Sequence, residues 1–224
     1  MPVSATARAA MTHLAAEPRF AALIAHVGPP RLGHRRGEAP YEALMRAIAH
    51  QQLHGRAAEA ILARFVALGA AGFPAPAEVL ALPDARLRAC GFSGGKIAAL
   101  RDIAAHAAAG AVPTRRGCAR LDDAALIAQL TRIRGVGRWT VEMMLMFTLA
   151  RPDILPVDDF GVREGFRVLH GLAEQPRPRA LAEHGLAWAP HRSVAAWYLW
   201  RAADLARAGE LPPMPRRRRR LSAG

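Results

Sequence analysis

Apolar residues recur at intervals of three and four along most of the chain, and alternating runs of β-branched residues are missing almost everywhere. That spacing follows the 3.6-residue turn of a helix and not the two-residue repeat of a strand, so an all-α fold is expected. Candidate helices fall at residues 4–16, 17–27, 40–54, 56–69, 77–81, 84–90, 94–109, 122–133, 138–150, 159–169, 179–187 and 192–208, with glycine and proline at most of the joints. The stretch 27–40, broken by Gly28, Gly33 and Gly37, reads as a loop, and 110–120 reads as a second joint. The expected organisation is two helical lobes. An N-terminal helical segment, 1–40, packs with the second lobe; the first lobe covers 41–112 and the second 113–211. A basic tail, 212–224, has too little apolar surface to pack and is read as disordered.

The 224-residue chain carries a formal net charge of +13, of which Arg216–Arg220 supply five, leaving +8 on the remainder. A basic body steers polyanions towards itself and gains from the release of their counterions, so nucleic acid is the expected partner. Charge alone does not separate DNA from RNA. The arginine run either adds non-specific DNA affinity or is solvated without a role. No apolar run reaches membrane-spanning length and the N-terminus lacks a signal-peptide layout, so no membrane partner is expected. A cytoplasmic location follows, nucleoid-associated if the source is bacterial. Cys90 and Cys118 are the only cysteines and form no CxxC pair, which argues against a disulfide framework, a zinc knuckle or a four-thiolate cluster. His50 and His54 have metal-ligand spacing on one helix face, but no metal is expected there.

The segment Leu130-Thr-Arg-Ile-Arg-Gly-Val-Gly-Arg-Trp-Thr-Val-Glu142 ends one helix, turns at Gly135-Val136-Gly137 and begins another. Glycines in such a turn permit positive φ and expose backbone N–H groups, and amides at the following helix start form a concave site for an anion. A DNA phosphate fits that description. Arg132, Arg134 and Arg138 flank the turn and would add contacts that hold the backbone without reading sequence. Downstream lies Leu155-Pro-Val-Asp-Asp-Phe-Gly-Val-Arg163, with two adjacent carboxylates before a helical segment. Either could serve as its N-cap.

The hairpin followed by Leu-Pro-Val-Asp-Asp resembles the helix-hairpin-helix (HhH-GPD) DNA glycosylase superfamily. Two further segments, Tyr41-Glu-Ala-Leu-Met-Arg-Ala-Ile-Ala-His-Gln-Gln-Leu53 and Pro190-His-Arg-Ser-Val-Ala-Ala-Trp-Tyr-Leu-Trp-Arg201, are similar to its 3-methyladenine DNA glycosylase II (AlkA-like) branch. The resemblance covers residues 41–208. It implies an active site in a cleft between two lobes, double-stranded DNA with alkylated bases as the partner, and a monomeric enzyme. The chain length leaves no room for the N-terminal β domain of some family members.

By the same resemblance Asp159 is the catalyst and Asp158 the capping or supporting residue, with an exchange of their roles left open. One carboxylate suffices because a purine methylated at N3 or N7 is cationic and leaves as a neutral molecule. What remains is to stabilise an oxocarbenium-like sugar and to position a water. Strand-cutting relatives form a Schiff base through a Lys two residues after the second hairpin glycine; here that position is Trp139, and Lys96 is the only lysine. A monofunctional enzyme that leaves an abasic site is therefore implied. Trp139, Met143, Trp200 and Gln51 fall on base-pocket positions, with Trp200 the chosen stacking face for a cationic base. Met143 stands where the family often has Tyr, which leaves the substrate range open. Gln52 or Leu53 matches the wedge that fills the gap left by a flipped nucleotide. Arg134, Gly135, Val136, Gly137 and Arg138 form the phosphate-binding hairpin, and Lys96 is a second phosphate candidate. No cofactor is expected beyond a monovalent cation on hairpin carbonyls near Ile133 and Val136. The alternatives are a non-catalytic, structure-specific DNA-binding protein and a glycosylase for oxidised or mismatched bases.

Overall fold

The computed structural model describes residues 4–35, 37–53, 55–213 and 215; Arg36, His54, Met214 and the arginine run 216–220 lie outside the described residues. Thirteen α-helices are present among the described residues: α1 (Ala5–Leu14), α2 (Pro18–Val27), α3 (Pro40–His50), α4 (Gly55–Val66), α5 (Pro76–Ala81), α6 (Asp84–Ala89), α7 (Gly94–Ala108), α8 (Arg115–Cys118), α9 (Asp123–Leu130), α10 (Arg138–Met143), α11 (Phe160–His170), α12 (Pro178–His184) and α13 (Arg192–Ala208). A π-helical turn, Met144–Thr148, extends α10, and a 3-10 turn, Gly185–Trp188, extends α12. The only extended pairing among the described residues is a single bridge between Gly69 and Gly72. The all-α expectation holds. Among the described residues no helix is long and apolar enough to cross a membrane.

The chain divides into two compact units, one formed by 1–33 with 151–224 and the other by 34–150. This moves the expected boundary from 112/113 to 150/151, and side-chain bonds explain why. Arg115 donates to the carbonyls of Glu38 (3.0 Å) and Thr148 (2.6 Å). Gln129 donates to the Ala111 carbonyl at 2.8 Å, and Asp102 accepts the Arg134 amide at 2.7 Å. Residues 113–150 are thus tied to α7 and to the segment that leads into α3. Residues 34–40, expected to travel with the N-terminal segment, also belong here: the Arg35 amide bonds to the Phe147 carbonyl at 2.8 Å, and the Thr148 hydroxyl to Glu38 at 2.8 Å.

Within 34–150, α3 and α7 form the centre, with Leu44, Ile48, Leu100 and Ile103 fully buried. Phe65 of α4 meets Phe73 and Phe92 edge to face, the geometry that ring quadrupoles favour. Arg101 of α7 donates to Asp84 and to the carbonyls of Val79, Leu80 and Leu82, which satisfies the end of α5 and fixes α6. The expected joint at 110–120 holds the short helix α8, capped by the Thr114 hydroxyl.

In the other unit α11 packs against α13 so closely that a Cβ at Gly165 would overlap the Leu199 carbonyl. Phe20 of α2, fully buried, meets Trp188 and Tyr198 edge-on, which docks the N-terminal helix pair on 151–208. The buried Tyr198 hydroxyl donates to the Gly28 carbonyl at 2.8 Å, and burial pushes its pKa up to about 12. Arg192 grips Asp153 with two bonds, 2.7 and 2.8 Å. The Ser193 hydroxyl, itself donating to the Arg151 carbonyl, accepts the Ile154 amide. From the start of α13 these bonds anchor the loop that leads into Asp158 and Asp159, just before α11.

Candidate functional site

The hairpin sits in the 34–150 unit between α9 and α10. Gly135 adopts φ +79°, and a Cβ there would lie 2.8 Å from the Ala99 Cβ and 3.4 Å from Ile48; only glycine satisfies both the left-handed backbone and the contact with α7. Ile133 and Val136 are buried and act as the turn's anchors, while Arg132, Arg134, Gly135, Gly137, Arg138 and Trp139 are exposed. Asp102 fixes the turn from α7 through the Arg134 amide, and the Gln51 side chain fixes it from α3 by donating to the Gly135 carbonyl at 3.0 Å. Gly137 is the N-cap of α10, without a capping side chain and with open space around it. Backbone amides at that point can be approached closely by a phosphate. Arg138 is held by the buried Glu142 at 2.8 Å, so its guanidinium is oriented beside the turn.

Gln51, expected in a base pocket, donates its side-chain amide to the hairpin. The next residue, Gln52, has φ +57°, a left-handed conformation that costs a non-glycine residue roughly 1–2 kcal/mol. Leu53 is 40 % exposed. A strained, exposed turn carrying a polar and an apolar tip suits a wedge. Lys96, expected on a second phosphate, is used structurally: its ammonium donates to the Ala49 carbonyl at 2.9 Å and so satisfies the end of α3 just before the wedge turn. Burial draws its pKa below the ordinary lysine value. Trp139 is 46 % exposed and Met143 half-buried.

In the other unit Asp159 is the N-cap of α11. Its Oδ1 accepts the Val162 amide at 2.8 Å and the Trp200 indole N–H at 2.8 Å. The capping role expected of Asp158 therefore belongs to Asp159; Asp158 is exposed. Trp200 reaches the carboxylate because position 161 is glycine: a Cβ there would lie 2.8 Å from the indole Cδ1 and 3.2 Å from Asp159 Oδ1. Two donors on one oxygen fix the plane of the carboxylate. The indole N–H of Trp200 thus orients the carboxylate, a role the sequence did not suggest. Two other contributors went unforeseen: Gly161 and Asp102. Phe160, beside Asp159, is 69 % exposed. The spacing Asp159-Phe-Gly161 is the one local signal that could have pointed to a side chain packed across the cap.

A short turn that presents glycine amides between two helices, with arginines around it, makes this a helix-hairpin-helix protein. The model of the HhH-GPD superfamily of base excision DNA repair proteins matches residues 45–191, and the chain belongs to that superfamily. It is 43 % identical over 189 residues to DNA-3-methyladenine glycosylase 1 of Schizosaccharomyces pombe, covering 84 % of this chain and 82 % of that protein. Among solved structures, S. pombe 3-methyladenine DNA glycosylase (Mag1) in complex with abasic DNA aligns with a TM-score of 0.80 and 42 % identity, covering 88 % of this chain and 98 % of that one. A DNA-3-methyladenine glycosidase from Bacillus halodurans aligns with a TM-score of 0.81 and 33 % identity, covering 92 % of each chain.

Proposed function

We propose that this chain is a DNA-3-methyladenine glycosylase of base excision repair, of the AlkA-like type II branch, that removes alkylated, cationic bases from double-stranded DNA and leaves an abasic site. The observation that carries the chemistry is the Asp159 carboxylate, held at a helix start by the Val162 and Trp200 N–H groups. The 43 % identity to a glycosylase of that name supports the substrate class.

Arg134, Gly135, Val136, Gly137 and Arg138 hold the phosphodiester backbone through turn amides and guanidinium groups. Ile133 and Val136 carbonyls would accept a monovalent cation shared with the phosphate. The Ile133 oxygen already takes the Val136 amide at 3.1 Å, which leaves it one lone pair. Gln52 and Leu53 fill the gap left by the extruded nucleotide, which offsets the few kcal/mol that flipping costs. Trp139 and Met143 face the base, with the exposed indole stacking on a cation. Asp159 stabilises the positive sugar as the neutral base departs and orients the attacking water. The enzyme stops at the abasic site, because Trp139 stands where a lyase needs an amine and Lys96 is held at Ala49. It works as a monomer in the compartment that holds the DNA.

The test is incubation of the purified protein with duplex DNA containing 3-methyladenine, reading both released base and strand scission. Release of base with scission only after alkali treatment supports the reading. Tight binding with no release from any alkylated duplex refutes it and makes the protein a DNA-binding module. Scission without alkali refutes the monofunctional assignment.

A further inference from the structure

Glu17, His170 and His184 converge within one unit, apart from the residues assigned to base release. Glu17 is the N-cap of α2, while His170 and His184 are the last residues of α11 and α12. His170 Nε2 lies 3.2 Å from Glu17 Oε1, and His184 Nε2 lies 3.6 Å from Oε2. One ligand atom from each residue falls within 4.8 Å of the other two. A tetrahedral zinc ion with nitrogen and oxygen ligands at about 2.0–2.1 Å separates its ligands by about 3.3 Å. The two Glu17 contacts, one on each carboxylate oxygen, already lie near that length. All three ligand atoms already lie within 4.8 Å of one another, and the His184 side chain, 40 % exposed, can rotate to close the remainder.

The surroundings favour a cation at this point. The C-terminal ends of α11 and α12 bring the negative poles of two helices to it. Trp188 donates its indole N–H to Glu17 Oε2 at 3.3 Å, the kind of outer contact that orients a ligating carboxylate. Phe166 stacks on the His170 ring at 4.1 Å, which limits that imidazole, and meets His184 edge-on at 4.9 Å. Two imidazoles and one carboxylate are a borderline-soft set suited to zinc and its neighbours and not to calcium or magnesium. All three residues line a cavity of about 860 Å³, so a fourth position would be open to water.

We propose that Glu17, His170 and His184 bind one zinc-class divalent ion with water as the fourth ligand, clipping the start of α2 to the ends of α11 and α12. Glu17 lies upstream of residues 45–191 that match the family model, so the ion would fasten an N-terminal element onto the body of the fold. The proposal does not depend on the glycosylase reading.

The test uses the untagged full chain, stripped of metal by a chelator. Zn²⁺ is titrated in competition with a chromogenic chelator, Co²⁺ is added separately to read visible absorption, and thermal unfolding is followed with and without Zn²⁺. The expected results are one ion per chain, cobalt bands of a four- or five-coordinate site, and a zinc-dependent rise in the unfolding temperature. His184→Gln and Glu17→Gln should each lower Zn²⁺ affinity more than about tenfold and abolish the thermal shift, with unchanged circular dichroism and base release. If the wild type takes up no Zn²⁺ at micromolar concentration, or both variants bind it as the wild type does, the site is an ion-pair cluster and the proposal fails. A purely six-coordinate cobalt spectrum overturns it without any variant.

Discussion

Replacing Trp200 by Phe removes one N–H donor and keeps an aromatic ring in the space that Gly161 leaves open. The lost bond is 2.8 Å long and ends on a carboxylate oxygen; hydrogen bonds to charged groups contribute about 1.5–3 kcal/mol. The Val162 amide still holds the same oxygen at 2.8 Å, so Asp159 remains at the helix start and loses its second constraint. If all of that energy appears in the transition state, base release slows by roughly 10- to 150-fold. The assay is single-turnover release of 3-methyladenine from a duplex with enzyme in excess, beside the Kd for a duplex carrying an abasic analogue. The rate should fall in that range while the Kd stays essentially unchanged. An unchanged rate, or a loss confined to binding, would refute the positioning role and return Trp200 to the base-stacking role that its place in the sequence suggested.

The hairpin glycines should respond in opposite ways. Gly135→Ala forces a Cβ into Ala99 at positive φ and should destabilise the fold by roughly 2–4 kcal/mol in urea unfolding. Gly137→Ala meets open space; it should leave stability within about 0.5 kcal/mol and weaken duplex binding in a filter or anisotropy assay. Gln52→Gly relieves the left-handed strain at φ +57° and should leave stability unchanged or raise it by up to about 1 kcal/mol. Base release should nevertheless fall several-fold, because the wedge tip is gone. Glu164 is held at a pKa of about 2, chiefly by hydrogen bonds from Arg167 and then Gln175. A carboxylate whose pKa is depressed on folding stabilises the native state above its unfolded value, and that contribution is lost as pH falls from about 4.5 towards about 2. Glu164→Gln should flatten the acid limb of a plot of unfolding temperature against pH over that window.

The hairpin and the acidic cap could be read from the sequence because each is written in consecutive residues: Gly-Val-Gly between two helical runs, and Asp-Asp before a third. Which aspartate makes the cap could not, since both precede α11 and only the fold shows that Asp159 reaches the Val162 amide. The bonds that rigidify the site join residues far apart, such as Trp200 to Asp159, 41 positions away, Gln51 to Gly135 and Lys96 to Ala49. No local pattern encodes them, so the support that Gln51 gives the hairpin and Lys96 gives the end of α3 could not be read from the sequence. The boundary expected near 112 failed for the same reason. The glycine and proline joint there is real, but Arg115 and Gln129 bind the segments on either side of it together. The Glu17, His170 and His184 cluster draws on three elements and shows no spacing motif.

The account rests on Asp159 acting on the sugar. Asp159→Asn tests it directly, because asparagine is an equally good N-cap and can still accept the Val162 and Trp200 N–H groups, so fold and DNA affinity should persist. The measurement is release of 3-methyladenine from methylated duplex DNA by the wild type and by Asp159→Asn, with duplex affinity recorded for both. The account predicts that the variant binds as the wild type does and releases base at least about a hundredfold more slowly. Release at the wild-type rate by the asparagine variant would contradict it.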